Sequence, residues 1–195
     1  MPFIAFLGCD GSGKSAVIQS LSAALVAREE DVKFGHWRPK AFGGSTEVAT
    51  AADDPHGQAP RGFASSVLKL GWLWLNWWVA WWRGARSQSK RGYLIFDRYH
   101  GDLLVDPKRY RYGGPMGLAQ AASRLMPQPD QVIFLDAPPQ VLLSRKQEVS
   151  YESLELSRAA YLHLAHTHPR FRIVDASRPL PEVVADVMSG LPATQ

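Results

Sequence analysis

The sequence contains very little cysteine and only a small excess of charge of either sign. Cys9 is the single cysteine among 195 residues, so no disulfide can form within the chain, and a reducing compartment fits. The start of the chain carries no basic segment and runs directly into a glycine-rich loop, which indicates a core strand and not a signal peptide. The net charge of +4, from 22 basic and 18 acidic residues, suits an anionic substrate but does not indicate nucleic acid. We therefore predict a cytoplasmic protein without a nucleic-acid partner.

The sequence shows no internal repeat and no second domain. Short apolar runs alternate with helical patterns, which is typical of a parallel sheet with helices on both faces. Strands are predicted at Phe3–Leu7, Val32–Trp37, Gly92–Asp97, Gln131–Asp136 and Phe171–Asp175, and helices at 16–27, 63–82 and 180–191. We expect residues 1–195 to form one α/β domain, with a five-stranded parallel sheet flanked by helices.

Tryptophan is concentrated in one segment, since six of the seven tryptophans lie between residues 63 and 82. Most of them repeat at three- and four-residue steps, which predicts a helix. The segment is long enough to cross a bilayer, but Lys69 and Asn76 interrupt it. We favour packing inside the protein. An exposed face for a dimer partner, a bulky substrate or a membrane interface stays open, so a homodimer remains an alternative, as does membrane contact, which we do not favour.

The most informative motif is the run of residues 8–15, Gly-Cys-Asp-Gly-Ser-Gly-Lys-Ser, which fits G-x-x-x-x-G-K-[ST] without a mismatch. We call it the phosphate loop, because it lies between a predicted strand and a predicted helix, as such loops do. Its glycines let backbone N–H groups converge on phosphate oxygens, and the helix N-terminus adds a positive dipole. The predicted nucleotide-binding residues are Gly8, Asp10, Gly11, Ser12, Gly13, Lys14 and Ser15. Among them, Lys14 is expected to reach the β- and γ-phosphates, and Ser15 to ligate Mg²⁺.

A second motif, Asp97-Arg98-Tyr99, directly follows the third predicted strand. This position lies at the carboxyl edge of the sheet, where ligands of open α/β sheets bind. An aspartate there can hold the hydration shell of Mg²⁺ or orient an acceptor. Arg98 can bridge the acceptor phosphate and the transferred group. We therefore predict Asp97 and Arg98 as catalytic residues, with an ordinary salt bridge as the alternative.

The loop of residues 106–115, which we call the basic loop, combines three basic residues with two tyrosines: Lys108, Arg109, Tyr110, Arg111 and Tyr112. The basic residues suit a phosphorylated acceptor, and the tyrosines suit stacking on a base or a sugar ring. We predict substrate binding by Arg109, Arg111 and Tyr112. A solvated basic loop explains the same composition equally well.

Two further segments are predicted to move. Residues 40–62 mix Gly, Pro, Ala and Asp without a period and predict a long mobile loop.

Residues 140–160 are predicted to form a lid, because Arg145 follows a Pro-Pro break and begins a polar helical region that reaches Arg158. A cationic lid would exclude water and stabilise developing charge, so Arg145 is a candidate catalytic residue. A charged surface helix predicts the same composition.

Four segments, taken in order, resemble the thymidylate kinase family of nucleoside monophosphate kinases over nearly the whole chain. They are the phosphate loop with the preceding Phe6 and Leu7, Trp37-Arg38-Pro39 after the second strand, Asp97-Arg98-Tyr99 after the third, and Asp175-Ala176 after the last. The resemblance implies phosphoryl transfer from ATP, with Mg²⁺, to a small phosphorylated acceptor. It implies acceptor contacts for Arg38, Arg98 and Tyr99, and a nucleobase pocket lined by Ala176, Ser177 and Arg178.

The chain departs from the family on the acceptor side. Where the family usually has a small hydroxyl residue after Asp-Arg-Tyr, this chain has His100. The helix that normally helps to enclose thymine is the tryptophan-rich one. The chain thus resembles divergent thymidylate kinase-like proteins, whose acceptor need not be thymidylate. Two alternatives stay open: a kinase of a sugar or lipid-linked acceptor, and a non-catalytic nucleotide-binding module associated with membrane.

Overall fold

The structure, a computed structural model, describes residues 2–36, 62–82, 92–147 and 149–194. Contacts between Cα atoms divide the chain into two compact units. The first, which we call the sheet unit, contains the described residues within 1–37, 89–99 and 129–195. The second, which we call the helical unit, contains those within 38–88 and 100–128. That residues 1–195 act as one domain stays a prediction.

The sheet unit is built on five parallel strands. They are β1 (Phe3–Leu7), β2 (Val32–His36), β3 (Tyr93–Asp97), β4 (Gln131–Asp136) and β5 (Phe171–Asp175). Their order in the sheet is β2-β3-β1-β4-β5, and every pair is parallel. All residues of the central strand β1 are buried, as expected for a continuous apolar run covered on both faces. The predicted five-stranded parallel sheet is confirmed.

Seven helices occur in the described part of the chain. They are α1 (Lys14–Val26), α2 (Phe63–Ala80), α3 (Gly101–Val105), α4 (Met116–Arg124), α5 (Pro139–Arg145), α6 (Tyr151–Thr167) and α7 (Leu180–Ser189). In the sheet unit, α7 packs against α1 and β5, while α6 packs against α5, β4 and β5. The apolar side chains that α1 buries are Val17, Ile18, Leu21 and Leu25, which repeat at helical spacing. The sheet is therefore flanked by helices, as the sequence predicts.

The helical unit contains α2, α3 and α4, with α4 packed against the other two. One face of α2 is buried through Leu70, Leu73 and Trp77. The two polar residues that interrupt its apolar run both have hydrogen bonds: Lys69 Nζ donates to the carbonyl oxygen of Tyr110 at 3.2 Å, and Asn76 Nδ2 to that of Trp72 at 2.8 Å. Within the described residues, no helix has the length and apolar character needed to span a membrane.

The opposite face of α2 is exposed and also apolar. Leu68, Trp72, Leu75 and Trp82 are all more than half exposed, and they recur at steps of four, three and seven residues along the helix. The two interpretations of the tryptophan segment, core packing and an exposed face, therefore both apply to α2.

Several sequence-based boundaries differ from the structure. The lid segment does not open a continuous helix at Arg145: α5 begins at Pro139 and ends at Arg145, and α6 begins only at Tyr151. Proline fits the first turn of a helix, because its missing N–H has no helical acceptor there. The short helices α3 and α4 were not predicted, because neither carries a long apolar periodicity. Trp37 and almost all of the predicted mobile loop lie outside the described residues.

Candidate functional site

The phosphate loop joins β1 to α1 in a conformation that requires glycine. Gly11 has φ +83°, and a Cβ added there would lie 2.6 Å from the carbonyl oxygen of Leu142 in α5. Gly13, which precedes α1, has φ +80° and accepts the first helical hydrogen bond, from the N–H of Val17 at 3.0 Å. Both values lie in the left-handed region that side chains with a Cβ rarely adopt. Glycine is therefore required at positions 11 and 13 for this backbone conformation, while phosphate binding by the loop stays a prediction.

Lys14 lies folded back on the phosphate loop. Its Nζ donates to the carbonyl oxygens of Gly8 at 2.7 Å and Cys9 at 2.9 Å, and to the hydroxyl of Ser12 at 3.3 Å. The side chain is buried together with Ser12, whereas Ser15, in the first turn of α1, is exposed. The structure thus places the ammonium group of Lys14 among oxygen atoms of the phosphate loop.

Asp97 and Arg98 lie at the carboxyl end of β3, beside the end of β1. Asp97 pairs with Phe6 across the two strands, and its Oδ1 is buried with no hydrogen-bond partner among the described residues. Arg98 has φ +67°, a strained value for a residue other than glycine. Its N–H donates to the carbonyl oxygen of Phe6 at 3.0 Å, and its Nη2 donates to Asp10 Oδ1 at 2.7 Å. Two predicted site residues, Asp10 and Arg98, are thereby joined directly.

Asp97 and Ser15 carry the types of oxygen atom that Mg²⁺ prefers. Magnesium prefers carboxylate and hydroxyl oxygens and usually takes only one or two ligands from the protein. Asp97 offers a buried carboxylate oxygen without a hydrogen-bond partner in the described chain, and Ser15 offers an exposed hydroxyl. These are the two residues that the sequence predicts as metal ligands.

Residues 176–179, between β5 and α7, are the segment predicted to line a nucleobase pocket, which we call the nucleobase loop. The N–H and hydroxyl of Ser177 donate to Asp175 Oδ1 at 2.9 and 2.5 Å, and these hydrogen bonds lower the pKa of Asp175. Arg178 forms an ion pair with Asp186 of α7. Asp186 also forms an ion pair with Arg172 of β5, at 2.6 Å between Oδ1 and Nη2. The loop is therefore held in place by side chains of the flanking strand and helix.

The two arginines of the predicted lid segment both form hydrogen bonds to other residues of the sheet unit. Arg145 Nη1 donates to the carbonyl oxygen of Ala176 at 2.9 Å. Arg158 binds both carboxylate oxygens of Asp136, at 2.7 and 2.8 Å, and this hydrogen bonding raises the pKa of Arg158. Sequence reasoning missed Asp136 as a site residue, although it ends β4 just as Asp97 ends β3.

Tyr99 is part of the core of the sheet unit. It is buried, and its ring lies edge-on to that of Phe3 with 5.7 Å between the ring centroids. Burial raises the pKa of the Tyr99 hydroxyl. A contact between Tyr99 and a substrate stays a prediction, as does the contact implied for Arg38, which lies outside the described residues.

In the helical unit, the basic loop is anchored by Tyr110. The Tyr110 ring is buried, and its hydroxyl donates to Asp102 Oδ2 at 2.6 Å. The N–H of Gly113 donates to the hydroxyl of Ser66 in α2 at 3.0 Å. The prediction that Tyr110 could stack on a ligand is therefore wrong, because its ring is enclosed by protein.

The other residues of the basic loop are more accessible. Arg109 and Arg111 are partly exposed on either side of the buried tyrosine, and Arg111 has φ +52°. Tyr112 donates its hydroxyl hydrogen to the carbonyl oxygen of Pro115 at 3.0 Å. The anchored turn thus presents both predicted substrate arginines at its surface, while their contact with an acceptor stays a prediction.

His100 is the first residue of the second chain segment in the helical unit, and its side chain is buried. Neither ring nitrogen has a hydrogen-bond partner among the described residues, and burial lowers the pKa of His100 to about 4. The ring is therefore neutral at pH 7. The sequence marks His100 as a departure from the family pattern, but it does not indicate that the side chain is buried.

Sheet order, phosphate loop and the acid after β3 together define the α/β fold of the phosphate-loop kinases. No model of a known protein family matches the chain. A thymidylate kinase of Cereibacter sphaeroides is 30% identical over an alignment of 226 residues, which covers 97% of this chain and 93% of that protein. A "Probable thymidylate kinase" of Pyrobaculum aerophilum is 28% identical over 96% of this chain and 94% of that protein. The chain belongs to the thymidylate kinase family.

Proposed function

We propose that this protein transfers the γ-phosphate of MgATP to a nucleoside monophosphate, with thymidylate as the first candidate acceptor. The observation that carries the proposal is the arrangement in the sheet unit of the phosphate loop, Asp97 and Arg98 at neighbouring strand ends. The names of the two relatives, which match nearly full-length, support the same reaction.

On the donor side, the phosphate loop would hold the triphosphate through its backbone N–H groups. Lys14 would exchange its hydrogen bonds to loop oxygens for bonds to the β- and γ-phosphates. Ser15 and Asp97 would hold Mg²⁺. When bound, the ion would neutralise part of the charge of the phosphates.

On the acceptor side, Arg98 would bind the acceptor phosphate while Asp10 keeps its guanidinium in place at 2.7 Å. An oxygen of the acceptor phosphate then bonds to the γ-phosphorus, the bond from that phosphorus to the β,γ-bridging oxygen breaks, and ADP leaves. A phosphate monoester has a second pKa of about 6, so its attacking oxygen needs no general base at pH 7.5. Catalysis would then consist of positioning and charge stabilisation.

A second candidate function is phosphorylation of a sugar or lipid-linked acceptor. It is motivated by the departure from the family pattern after Asp-Arg-Tyr, where this chain has His100 in place of a small hydroxyl residue. A hydroxyl acceptor must lose a proton and so requires a general base. The rate should then fall as the pH drops through the pKa of that base, whereas transfer to a phosphate acceptor should stay nearly constant above pH 7.

The test is ADP release by the wild-type protein with a panel of nucleoside monophosphates, sugars, sugar phosphates and lipid phosphates. We expect a monophosphate to stimulate turnover, and Lys14→Ala to reduce kcat by about 10²–10³-fold, the usual cost of removing one donor to developing charge. Lys33→Ala, on β2, is the matched control and should keep wild-type turnover. Undiminished turnover of Lys14→Ala at saturating ATP would overturn the proposal, provided that circular dichroism shows both variants folded.

A further inference from the structure

Helix α5 contacts both loops of the predicted donor site. At Leu142, its carbonyl oxygen packs so closely on the phosphate loop that a Cβ added to Gly11 would lie 2.6 Å away. At Arg145, its last residue, the guanidinium donates to the carbonyl oxygen of Ala176 in the nucleobase loop at 2.9 Å. The two contacts come from residues three positions apart, about 4.5 Å along the helix axis. A single rigid turn therefore links the two loops.

The contact with Arg145 completes the hydrogen bonding of the Ala176 backbone. The Ala176 N–H donates to the carbonyl oxygen of Asp136 at 2.7 Å, and its carbonyl oxygen accepts from Arg145. The side chain of Asp136 is itself fixed by two nitrogens of Arg158, Nε and Nη2. Ala176 is 3% exposed, so its carbonyl would lack this partner if Arg145 turned away, which is costly for a buried group.

We propose that Arg145 is a positioning residue that fixes the nucleobase loop relative to the phosphate loop through α5. This inference rests on the proposed function, because it assumes that the donor is a nucleoside triphosphate. A nucleotide gains affinity from binding its base and its phosphates together only when the distance between the two loops matches the distance between those two parts of the ligand. Arg145 maintains that distance by bonding Ala176, and it does so without touching the phosphates.

The sequence suggests a different role, in which Arg145 acts as a lid cation on the transferred phosphate. The two roles differ in which part of the nucleotide loses affinity when Arg145 is changed. A lid cation would stabilise the triphosphate with or without a base. A positioning residue stabilises ATP but leaves inorganic tripolyphosphate, which has no base, unaffected.

The experiment is calorimetric titration of the full-length protein with MgATP and with magnesium tripolyphosphate. Arg145→Met keeps the length of the side chain but removes the donor, whereas Arg145→Lys keeps a cationic donor. Arg124→Met, at the end of α4, is the matched control because it removes an exposed arginine outside the sheet unit. We expect Arg145→Met to weaken MgATP about tenfold, or about 1.4 kcal/mol. Its affinity for tripolyphosphate should stay within about twofold, and Arg145→Lys should recover most of the ATP affinity.

Three results would overturn the proposal. Equal losses for MgATP and tripolyphosphate would mean that Arg145 contacts the phosphates. Unchanged affinities for both ligands would mean that the contact with Ala176 does no positioning. Equal affinity of the wild-type protein for both ligands would mean that the nucleobase loop binds no base. If the wild-type protein binds neither ligand, the proposed function fails as well.

Discussion

The sheet unit and the helical unit bury polar groups in different ways. In the sheet unit, Asp10 pairs with Arg98 and Asp136 with Arg158 at close range, while one buried oxygen of Asp97 has no hydrogen-bond partner among the described residues. In the helical unit, the buried polar groups include His100, which has no hydrogen-bond partner among the described residues, and Asp102, which accepts from Tyr110. The sheet unit therefore contains close ion pairs between side chains at its strand ends and loops, whereas the helical unit combines a tryptophan-rich helix with a buried neutral histidine.

Each unit nevertheless holds a predicted substrate arginine on a strained backbone. Arg98 has φ +67° and Arg111 has φ +52°, and such values persist only where the surroundings enforce them. Arg98 is held by Asp10, while the N–H of Arg111 donates to the carbonyl oxygen of Lys108 at 2.8 Å within a tight turn. A left-handed backbone therefore carries a predicted substrate arginine in each of the two units.

The largest effect on stability should come from the helical unit. Trp77 is 1% exposed and Trp72 is 62% exposed on the same helix. We expect Trp77→Ala to lower the free energy of unfolding by about 3–5 kcal/mol and Trp72→Ala to change it by about 0.5 kcal/mol or less. Urea unfolding followed by far-UV circular dichroism measures both. Equal losses in the free energy of unfolding would contradict the assignment of one buried and one exposed face to α2, because they would show that Trp72 is buried in the protein in solution.

The next effect is a dependence of stability on pH that arises from His100. Burial lowers its pKa from 6.5 to about 4, so the unfolded state binds a proton at a pH where the folded state does not. Stability is therefore full above pH 6.5 and falls as the pH drops toward 4, by up to about 3 kcal/mol.

This prediction is tested by urea unfolding at pH 7.5 and 4.5, followed by tryptophan fluorescence, which reports mainly on residues 63–82 because six of the seven tryptophans lie there. His100→Phe should lose much less stability between the two values. The control His163→Phe, at an exposed position, should behave like the wild-type protein. A wild-type curve no steeper than that of His100→Phe would contradict the prediction.

The smallest effect should come from the backbone at Arg98. Arg98→Gly and Arg98→Ala both remove the ion pair with Asp10, but only glycine adopts φ +67° without strain. We expect the glycine variant to be about 1 kcal/mol more stable than the alanine variant, while both bind a phosphorylated acceptor poorly. Urea midpoints and the acceptor KM measure the two quantities separately. Equal stability would show that Arg98 is unstrained in solution, and the shared feature of the two units would be lost.

Much of the sheet unit could be predicted from the sequence because its elements are encoded locally. β1, β4 and β5 have the predicted bounds, since each is an apolar run flanked by residues that stop a strand. The phosphate loop could be predicted because glycine spacing dictates its backbone. In contrast, α3 and α4 could not, because short helices carry too few residues to show a periodicity.

The amino-acid pattern alone indicates which segments form the strands, where the phosphate loop lies, and that Asp97 and Arg98 come at the end of a strand. The partners of these residues depend on the tertiary structure. Arg98 bonds Asp10 across 88 residues of chain, and Arg145 bonds Ala176 across 31. It also decided which tryptophans of α2 are buried. The physical reason is that periodicity records which element a segment forms, whereas the order of parallel strands and the packing of helices bring distant side chains together.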